Sequence, residues 1–485
     1  MLYYALTTFL SAFLLFLVQP IIGKFVLPWF GGTPAVWTTC MLFFQVLLLL
    51  GYAYAHFLVV RCNPRIQRRI HLVVLLLSLL VVLTLSITWK SPILPGASWK
   101  PQNSDHPTWS VIQLLAISIG FPFWILSTTG PLLQGWFSRV HRGVSAYRLY
   151  ALSNLGSLLA LISYPFLVEP MLSLRRQAAV WTSGYLAFAV SCAACAFQTA
   201  RVAGEGNPLN QSDTSAMEKG ESPQQSDWSR PSWKQHLLWV GLAAAASIML
   251  LATTNQICQE VAVIPFLWVL PLCLYLVSFI LCFESDRWYS RRIFLPVLFL
   301  AVSLAAGVLY EGVDAKILVQ VLVYSFALFT CCMVCHGELV TLKPASHYLT
   351  SFYLMIASGG AAGGIFTGLV APRIFKGYWE LHFGLWLCCF LAVIILVSDK
   401  SSWIYCRHPW PSLFVVFALV ILANTLMDED FSDSLIAALR HALLSRESGI
   451  AAVAVATLVA AEQHKRFYLS RPRLAVSGLS LRRAA

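Results

Sequence analysis

Long apolar runs, separated by short polar connections, recur along almost the whole chain. They lie near 3–22, 34–59, 71–89, 110–134, 147–168, 178–199, 236–256, 262–283, 293–312, 316–336, 348–371 and 379–398. A helix needs about 20 apolar residues to cross a hydrocarbon core of about 30 Å. The pattern therefore predicts twelve membrane-spanning helices.

Two further stretches extend the pattern towards the end of the chain. The run 411–427 predicts a thirteenth span, whereas 434–461 is interrupted by Arg440, Arg446 and Glu447 and makes a marginal fourteenth. The composition agrees, because 58% of the residues are hydrophobic and 11% are charged, against about a quarter charged in soluble domains. The predicted fold class is an all-α polytopic membrane protein with 13–14 transmembrane helices.

The net charge of +12 does not indicate a nucleic-acid partner, because the basic residues lie in short clusters between apolar runs. With the N-terminus in the cytoplasm, the inner connections carry roughly twice as many Lys and Arg as the outer ones, as the positive-inside rule requires. The N-terminal segment lacks the basic start and cleavage site of a signal peptide. We therefore expect a multi-pass inner-membrane protein whose partner is the lipid bilayer.

The segment 200–235 is not apolar like the runs on either side of it, and consists mainly of Ser, Gln, Gly, Pro and charged residues. Such a segment cannot bury enough apolar surface to fold, which predicts a disordered cytoplasmic linker. It divides the first twelve spans into six and six. The expected organisation, in chain order, is a first membrane repeat 1–199, the linker 200–235, a second repeat 236–398, one or two extra helices in 399–461 and a basic tail 462–485.

The two halves resemble each other. "LYALSNLGSLLALISYPFLVEP" (149–170) can be laid over "FYLMIASGGAAGGIFTGLVAP" (352–372), which matches Tyr150 with Tyr353 and Gly156 with Gly359. "GGTPAVW" and "PFLWVLP" also occupy similar positions near the second span of each half. Because six spans is an even number, the halves are predicted to be parallel repeats, as in major facilitator transporters.

Glycines in the fifth span of each half let helix backbones approach closely. The residues predicted to act in helix packing are Gly156, Gly359, Gly360, Gly363 and Gly364. Simple packing is the first interpretation. The alternative is a sliding surface, since small faces shift without large repacking.

"CCMVCHGELV" (331–340) contains Cys-x-x-Cys-His, the pattern that attaches a c-type haem. Cys332, Cys335 and His336 are predicted to lie at the cytoplasmic end of the tenth span, the wrong face for haem attachment. Buried cysteines in a helix core are the simpler interpretation. Four neighbouring residues of one helix also cannot surround zinc tetrahedrally, so we predict no cofactor and no metal.

Ionisable and amide side chains at membrane depth are costly and point to function. The candidate substrate-binding residues are Gln19, Lys24, Asn154, Asn255, Gln256 and Glu260. Lys24 and Glu260 end the first spans of the two halves, so we expect them to pair across the interface, or to extend separately to the membrane surface.

Acidic residues beside histidines form a second candidate set. His336 with Glu338, and Glu380 with His382, are candidate proton relays because histidine titrates near neutral pH. Structural capping is the alternative.

The quoted first-half stretches, with "TTNQICQEVAVIPFLWVLPLCLYLVSF" and "CHGEL", resemble the membrane region of bacterial fused major-facilitator/spermidine-synthase-like proteins, over roughly 1–430. After the thirteenth span, residues 428–485 lack the glycine-rich strand-to-helix turn that a nucleotide-type domain would need, so synthase activity is not expected. The resemblance implies a secondary transporter for a small polar or cationic solute, the cation being suggested by the family alone. The alternative is a non-transporting membrane scaffold that docks a separate synthase-like enzyme.

Overall fold

The computed structural model describes residues 1–30, 34–89, 91–96, 99–100, 107–141, 147–205, 231–260, 265–285, 287–312, 315–344, 348–375 and 379–399. Helices fill nearly all of these ranges, and no β-strand occurs in them. The predicted thirteenth and fourteenth spans and the basic tail lie outside the described residues.

Six helices precede the predicted linker. They are α1 (Leu2–Val26), α2 (Pro34–Arg61), α3 (Pro64–Trp89), α4 (Pro107–Val140), α5 (147–171) and α6 (Leu174–Glu205). We call them the first half. Both α4 and α5 contain a π-helical turn, at Ala116–Gly120 and Tyr164–Val168.

Six helices follow the linker and form the second half. They are α7 (Trp233–Glu260), α8 (Pro265–Glu284), α9 (Arg291–Glu311), α10 (Ile317–Thr341), α11 (Leu349–Ile374) and α12 (Glu380–Ser398). The π turn of α11 spans Phe366–Val370, close to the position that matches the π turn of α5.

Eleven of these helices are long and apolar enough to cross a membrane, and α8 adds a shorter apolar stretch, Trp268–Glu284. Helices suit the hydrocarbon core of a membrane because their backbone N–H and C=O groups hydrogen-bond to one another within the same segment. Proline begins four of them, α2, α3, α4 and α8, a position where its missing N–H costs nothing. The prediction of an all-α polytopic membrane protein is confirmed.

The bounds of two predicted segments are corrected. The tenth span was expected to end at His336, but α10 continues to Thr341, because buried polar residues near its end have partners on neighbouring elements. The linker was expected to span 200–235, but α6 continues to Glu205 and α7 begins at Trp233. Ser232 and Gln235 hydrogen-bond to each other's backbone N–H groups at 2.8 and 3.3 Å, a capping box that starts the helix.

The chain divides into two compact units. The first comprises Met1–Phe299 and Gln320–Cys389, and every contact discussed below lies within it. The second comprises Leu300–Val319 and Phe390–Ala485; its described part consists of the end of α9, the start of α10 and the end of α12.

Helix packing repeats between the halves at the matched glycines. A Cβ on Gly156 of α5 would lie 2.8 Å from the carbonyl oxygen of Phe9 in α1. A Cβ on Gly363 of α11 would lie 2.8 Å from the carbonyl oxygen of Ala244 in α7. The fifth helix of each half therefore packs directly on the backbone of the first.

The predicted packing set does not act uniformly. Gly359 and Gly363 face α7, whereas Gly364 lies against the side chain of Gln45 in α2. A Cβ on Gly360 would meet no atom within 4 Å, although the carbonyl oxygen of Gly360 accepts a hydrogen bond from Ser247 Oγ of α7 at 3.0 Å. The Cβ positions of Gly359 and Gly360 differ because successive helical residues are rotated by about 100°.

Candidate functional site

A cavity of about 170 Å³ lies between the halves, walled by α1, α2, α4 and α5 on one side and by α7, α8 and α11 on the other. A cavity needs a volume of only about 10–15 Å³ to hold one water molecule, so this cavity is large enough for a small solute. Its hydrogen-bonding side chains are Ser11, Gln19, Gln45, Tyr52, Ser127, Tyr150, Ser153, Asn154, Ser157, Tyr275 and Tyr353.

Helical spacing places these side chains on the wall. Tyr150, Ser153, Asn154 and Ser157 of α5 follow one another at short helical intervals, which puts them on one helix face. In α11, the wall residues from Tyr353 to Gly360 have the same spacing. The matched helices thus present matched faces to the cavity.

Two buried amide oxygens of wall residues have no hydrogen-bond partner among the described residues: Gln19 Oε1 and Gln45 Oε1. The side chain of Asn154 lies within reach of the Tyr150 hydroxyl. The other amide atoms of the glutamines are bound: Gln19 Nε2 donates to the carbonyl of Leu15 at 3.3 Å, and Gln45 Nε2 to Ser247 Oγ at 2.9 Å. Gln45 Oε1 lies against Gly364 of α11. The wall as a whole presents amide and hydroxyl side chains, the groups that hydrogen-bond a polar solute.

The wall carries no formal charge: no Asp, Glu, Lys, Arg or His is among its residues in the described part of the chain. Tyr and Phe rings supply much of the remaining surface, including Phe16, Phe44, Phe123 and Phe279. Such a wall can hydrogen-bond a neutral solute and pack against its apolar parts. It offers no carboxylate to offset the desolvation of a cation.

The halves touch near the ends of the helices that are predicted to be extracellular. Trp37 of α2 stacks on Trp268 of α8, with ring centroids 4.6 Å apart. Thr38 Oγ1 donates to Asn255 Oδ1 at 2.7 Å. Asn255 therefore bonds across the interface, and neither it nor the partly exposed Gln256 is part of the cavity wall.

Lys24 has a different neighbour from the one expected. Its ammonium lies 2.8 Å from Glu169 Oε1 at the end of α5, with both side chains partly exposed. The side chain of Glu260 lies outside the described residues, so the predicted pair remains a prediction. In this conformation Lys24 already has an acidic partner within the first half.

The halves also touch near the opposite ends of the helices. Tyr150 of α5 and Tyr353 of α11, which the sequence comparison matched, stack with centroids 4.9 Å apart. Tyr150 also contacts Phe283 of α8 at 5.0 Å. His56 Nδ1 and Thr350 Oγ1 are hydrogen-bonded at 2.9 Å. Interface contacts therefore lie on both sides of the cavity along the helix axes.

The predicted proton-relay residues have separate surroundings. His336 is fully buried, with Nδ1 hydrogen-bonded to Ser278 Oγ at 2.9 Å and its ring on Phe279 at 3.7 Å. Glu338 accepts two hydrogen bonds from Arg291, both at 2.7 Å, and one from Tyr289 at 2.7 Å.

Cys332, Cys335 and Glu380 are also buried, whereas His382 is half-buried. Cys332 and Cys335 are buried in α10, and Cys335 Sγ lies 3.8 Å from Cys388 Sγ of α12. No group of three metal-ligating side chains occurs in the described ranges. Glu380 is buried at the start of α12, where the helix dipole favours a carboxylate.

Sequence interpretation missed Gln45 and Tyr52. Gln45 interrupts the apolar run "LFFQVLLLL", the same signal that identified Gln19, so it could have been found. Tyr52 gives no such signal, because tyrosine is common in apolar helices.

No protein-family model matches the chain, and no curated protein matches its sequence. Among solved structures, it is similar to the inward-open conformation of the xylose transporter XylE from E. coli, at 12% identity and a TM-score of 0.49, over 80% of this chain and 94% of that one. It is also similar to a D-xylose–proton symporter, at 14% identity and a TM-score of 0.47, over 83% and 98%. At these values neither likeness assigns a solute to this chain.

Proposed function

We propose that this protein is a secondary transporter of major-facilitator-like architecture, and that it binds a small uncharged polar solute in the cavity between its halves. The observation that carries the proposal is the uncharged polar wall of this cavity, to which Gln19, Gln45 and Asn154 contribute amide side chains from three different helices of the first half.

An uncharged solute is favoured over the cation that the family resemblance suggested. A charge buried at membrane depth costs several kcal/mol unless it is paired, and the described wall provides no acidic side chain. Among the predicted binding residues, Gln19 and Asn154 belong to this site. Lys24, Asn255 and Gln256 lie outside its wall.

The contacts on either side of the cavity suit alternating access. The Trp37–Trp268 stack joins the halves near one end of the helices, and the Tyr150–Tyr353 stack joins them nearer the other. Separation of one stack while the other persists would expose the cavity to one compartment at a time. No enzymatic step is required of the chain.

Uptake by proteoliposomes tests the proposal. The panel would contain radiolabelled polyols, sugars, amides and amines, each measured with wild-type protein and with the Gly360→Trp variant. Gly360 lines the cavity and has open space beside it, so the indole should fill the site without disturbing helix packing. We expect uptake of at least one uncharged solute and its loss in this variant.

Gly307→Trp is the matched control. Gly307 of α9 also has nothing within 4 Å of its Cβ position and is exposed, but it is not part of the cavity wall. Two outcomes would contradict the proposal. The first is that the Gly360→Trp variant still takes up the solute, and the second is that wild-type proteoliposomes take up no more of any solute than empty liposomes do. The second outcome would favour the membrane-scaffold hypothesis.

The predicted orientation belongs to the same proposal. An inner-membrane protein with a cytoplasmic N-terminus should place positions 65 and 215 on the cytoplasmic side. Reporter fusions at both positions should therefore give the cytoplasmic signal, and opposite signals would contradict two parallel six-helix halves.

A further inference from the structure

The cavity wall is chemically different on its two sides. All of its hydrogen-bonding side chains except Tyr275 and Tyr353 belong to the first half. The second half contributes mainly hydrocarbon; its apolar side chains are Leu250, Leu272, Leu276, Phe279, Ile356, Ala357 and Ala361.

The matched helices α5 and α11 make the contrast at equivalent positions. If Tyr150 is matched with Tyr353, Asn154 corresponds to Ala357 and Ser153 to Ile356. All of these residues line the cavity. The two helices therefore share the paired tyrosines, but at the two following matched positions α5 carries polar side chains and α11 carries apolar ones.

The second helices of the halves show the same contrast. Matching Trp37 with Trp268 places Gln45 of α2 opposite Leu276 of α8 in the alignment. Both line the cavity. The amide side chains of the wall, Gln19, Gln45 and Asn154, consequently all belong to the first half.

From this asymmetry we infer that the ligand is an uncharged amphipathic small molecule with one hydrogen-bonding edge and one apolar face. The edge binds the amides of α1, α2 and α5, and the apolar face packs on α8 and α11. A wholly apolar ligand would leave the amide atoms unpaired. A molecule hydroxylated on all sides would lose hydrogen bonds to water against Leu276 and Ile356. The inference rests on the proposed function, since it concerns the same cavity.

Calorimetric binding to the purified protein in nanodiscs tests the inference with named probes. Phenyl glucoside and N-acetylphenylalaninamide carry both a polar edge and an apolar ring. Glucose lacks the ring, toluene lacks the polar edge, and phenethylammonium adds a charge. We expect at least one of the first two probes to bind at least tenfold more tightly than each of the other three.

Substitutions then assign the polar edge. Asn154→Ala installs the residue found at the matched position of α11, and Gln19→Leu keeps the side-chain size. Each should weaken binding of the preferred probe about tenfold. Gln134→Leu is the matched control: Gln134 is a buried glutamine of α4 with an unpartnered Oε1, it is not part of the cavity wall, and binding should be unchanged.

The apolar face is assigned by the reverse change. Ala357→Asn adds an amide to the second-half wall and should reduce the preference for the aryl probe over glucose several-fold. Equal affinity for glucose, toluene or phenethylammonium overturns the inference, as does failure of both amphipathic probes to bind wild-type protein. The proposed function is decided separately, by the uptake of any panel solute and its loss in Gly360→Trp.

Discussion

Gly359 and Gly360 are neighbours in α11 with opposite surroundings, which makes them a matched pair for testing the packing of the second half. A Cβ on Gly359 would lie 2.7 Å from Ala243 Cβ and 3.0 Å from Ala244 N, and closer still to the carbonyl oxygen of Val240. These are backbone and short side-chain atoms of α7, which cannot rotate away. A Cβ on Gly360 would meet nothing within 4 Å.

The magnitudes follow from two opposing effects. Alanine is favoured over glycine in a helix by about 1 kcal/mol, and this gain is common to Gly359→Ala and Gly360→Ala. Overpacking typically costs about 1–3 kcal/mol and applies to Gly359→Ala alone. The free energies of unfolding of the two variants should therefore differ by about 1–3 kcal/mol, with Gly360→Ala at or above the wild type.

Reversible unfolding in mixed micelles, monitored by tryptophan fluorescence against denaturing detergent, measures this difference directly. Thermal unfolding in nanodiscs gives the same order independently. Equal stability of the two variants, or a greater loss for Gly360→Ala, would refute the close α7–α11 contact.

Two ion pairs give further predictions. Glu338 is 2% exposed and its cationic partner is Arg291. Arg291→Ala should therefore destabilise the protein by about 3 kcal/mol, because it leaves a buried charge unpaired, and Arg291→Lys should cost less. Equal unfolding curves for Arg291→Ala and the wild type would contradict the pairing. Lys24 and Glu169 are partly exposed, so a double-mutant cycle of Lys24→Met with Glu169→Gln should give a coupling energy of about 0.2–1 kcal/mol. A cycle of Lys24→Met with Glu260→Gln should give a smaller coupling; a larger one would mean that the pair across the interface dominates.

The helices were predictable from the sequence because hydrocarbon thickness fixes their length and composition. Their ends were less so. His336 and Glu338 are polar, which suggested the end of a span, yet Ser278 and Arg291 supply their hydrogen bonds and the helix continues. Such partners come from distant parts of the chain, and spacing alone cannot identify them.

Only part of the candidate site could be predicted, because the sequence does not show which polar residues face the same space. Gln19 and Asn154 stood out as isolated amides in apolar helices, and both line the cavity. Asn255 and Gln256 stood out equally, but each residue of a helix adds about 1.5 Å of rise and 100° of rotation. Asn255 therefore bonds to Thr38 across the interface, and neither residue lines the cavity. The salt bridge of Lys24 with Glu169 depends on how α1 packs on α5, which the sequence does not specify.

The two aromatic stacks have a consequence for the symmetry of the chain. Trp37 meets Trp268 and Tyr150 meets Tyr353, so each stack joins residues at equivalent places in the two repeats. In a homodimer, a residue beside the twofold axis contacts its own copy. Each stack therefore has the geometry of a contact beside a twofold axis, although one chain supplies both of its rings. Unlike a homodimer, this chain can carry different residues at matched positions, as it does at Asn154 and Ala357.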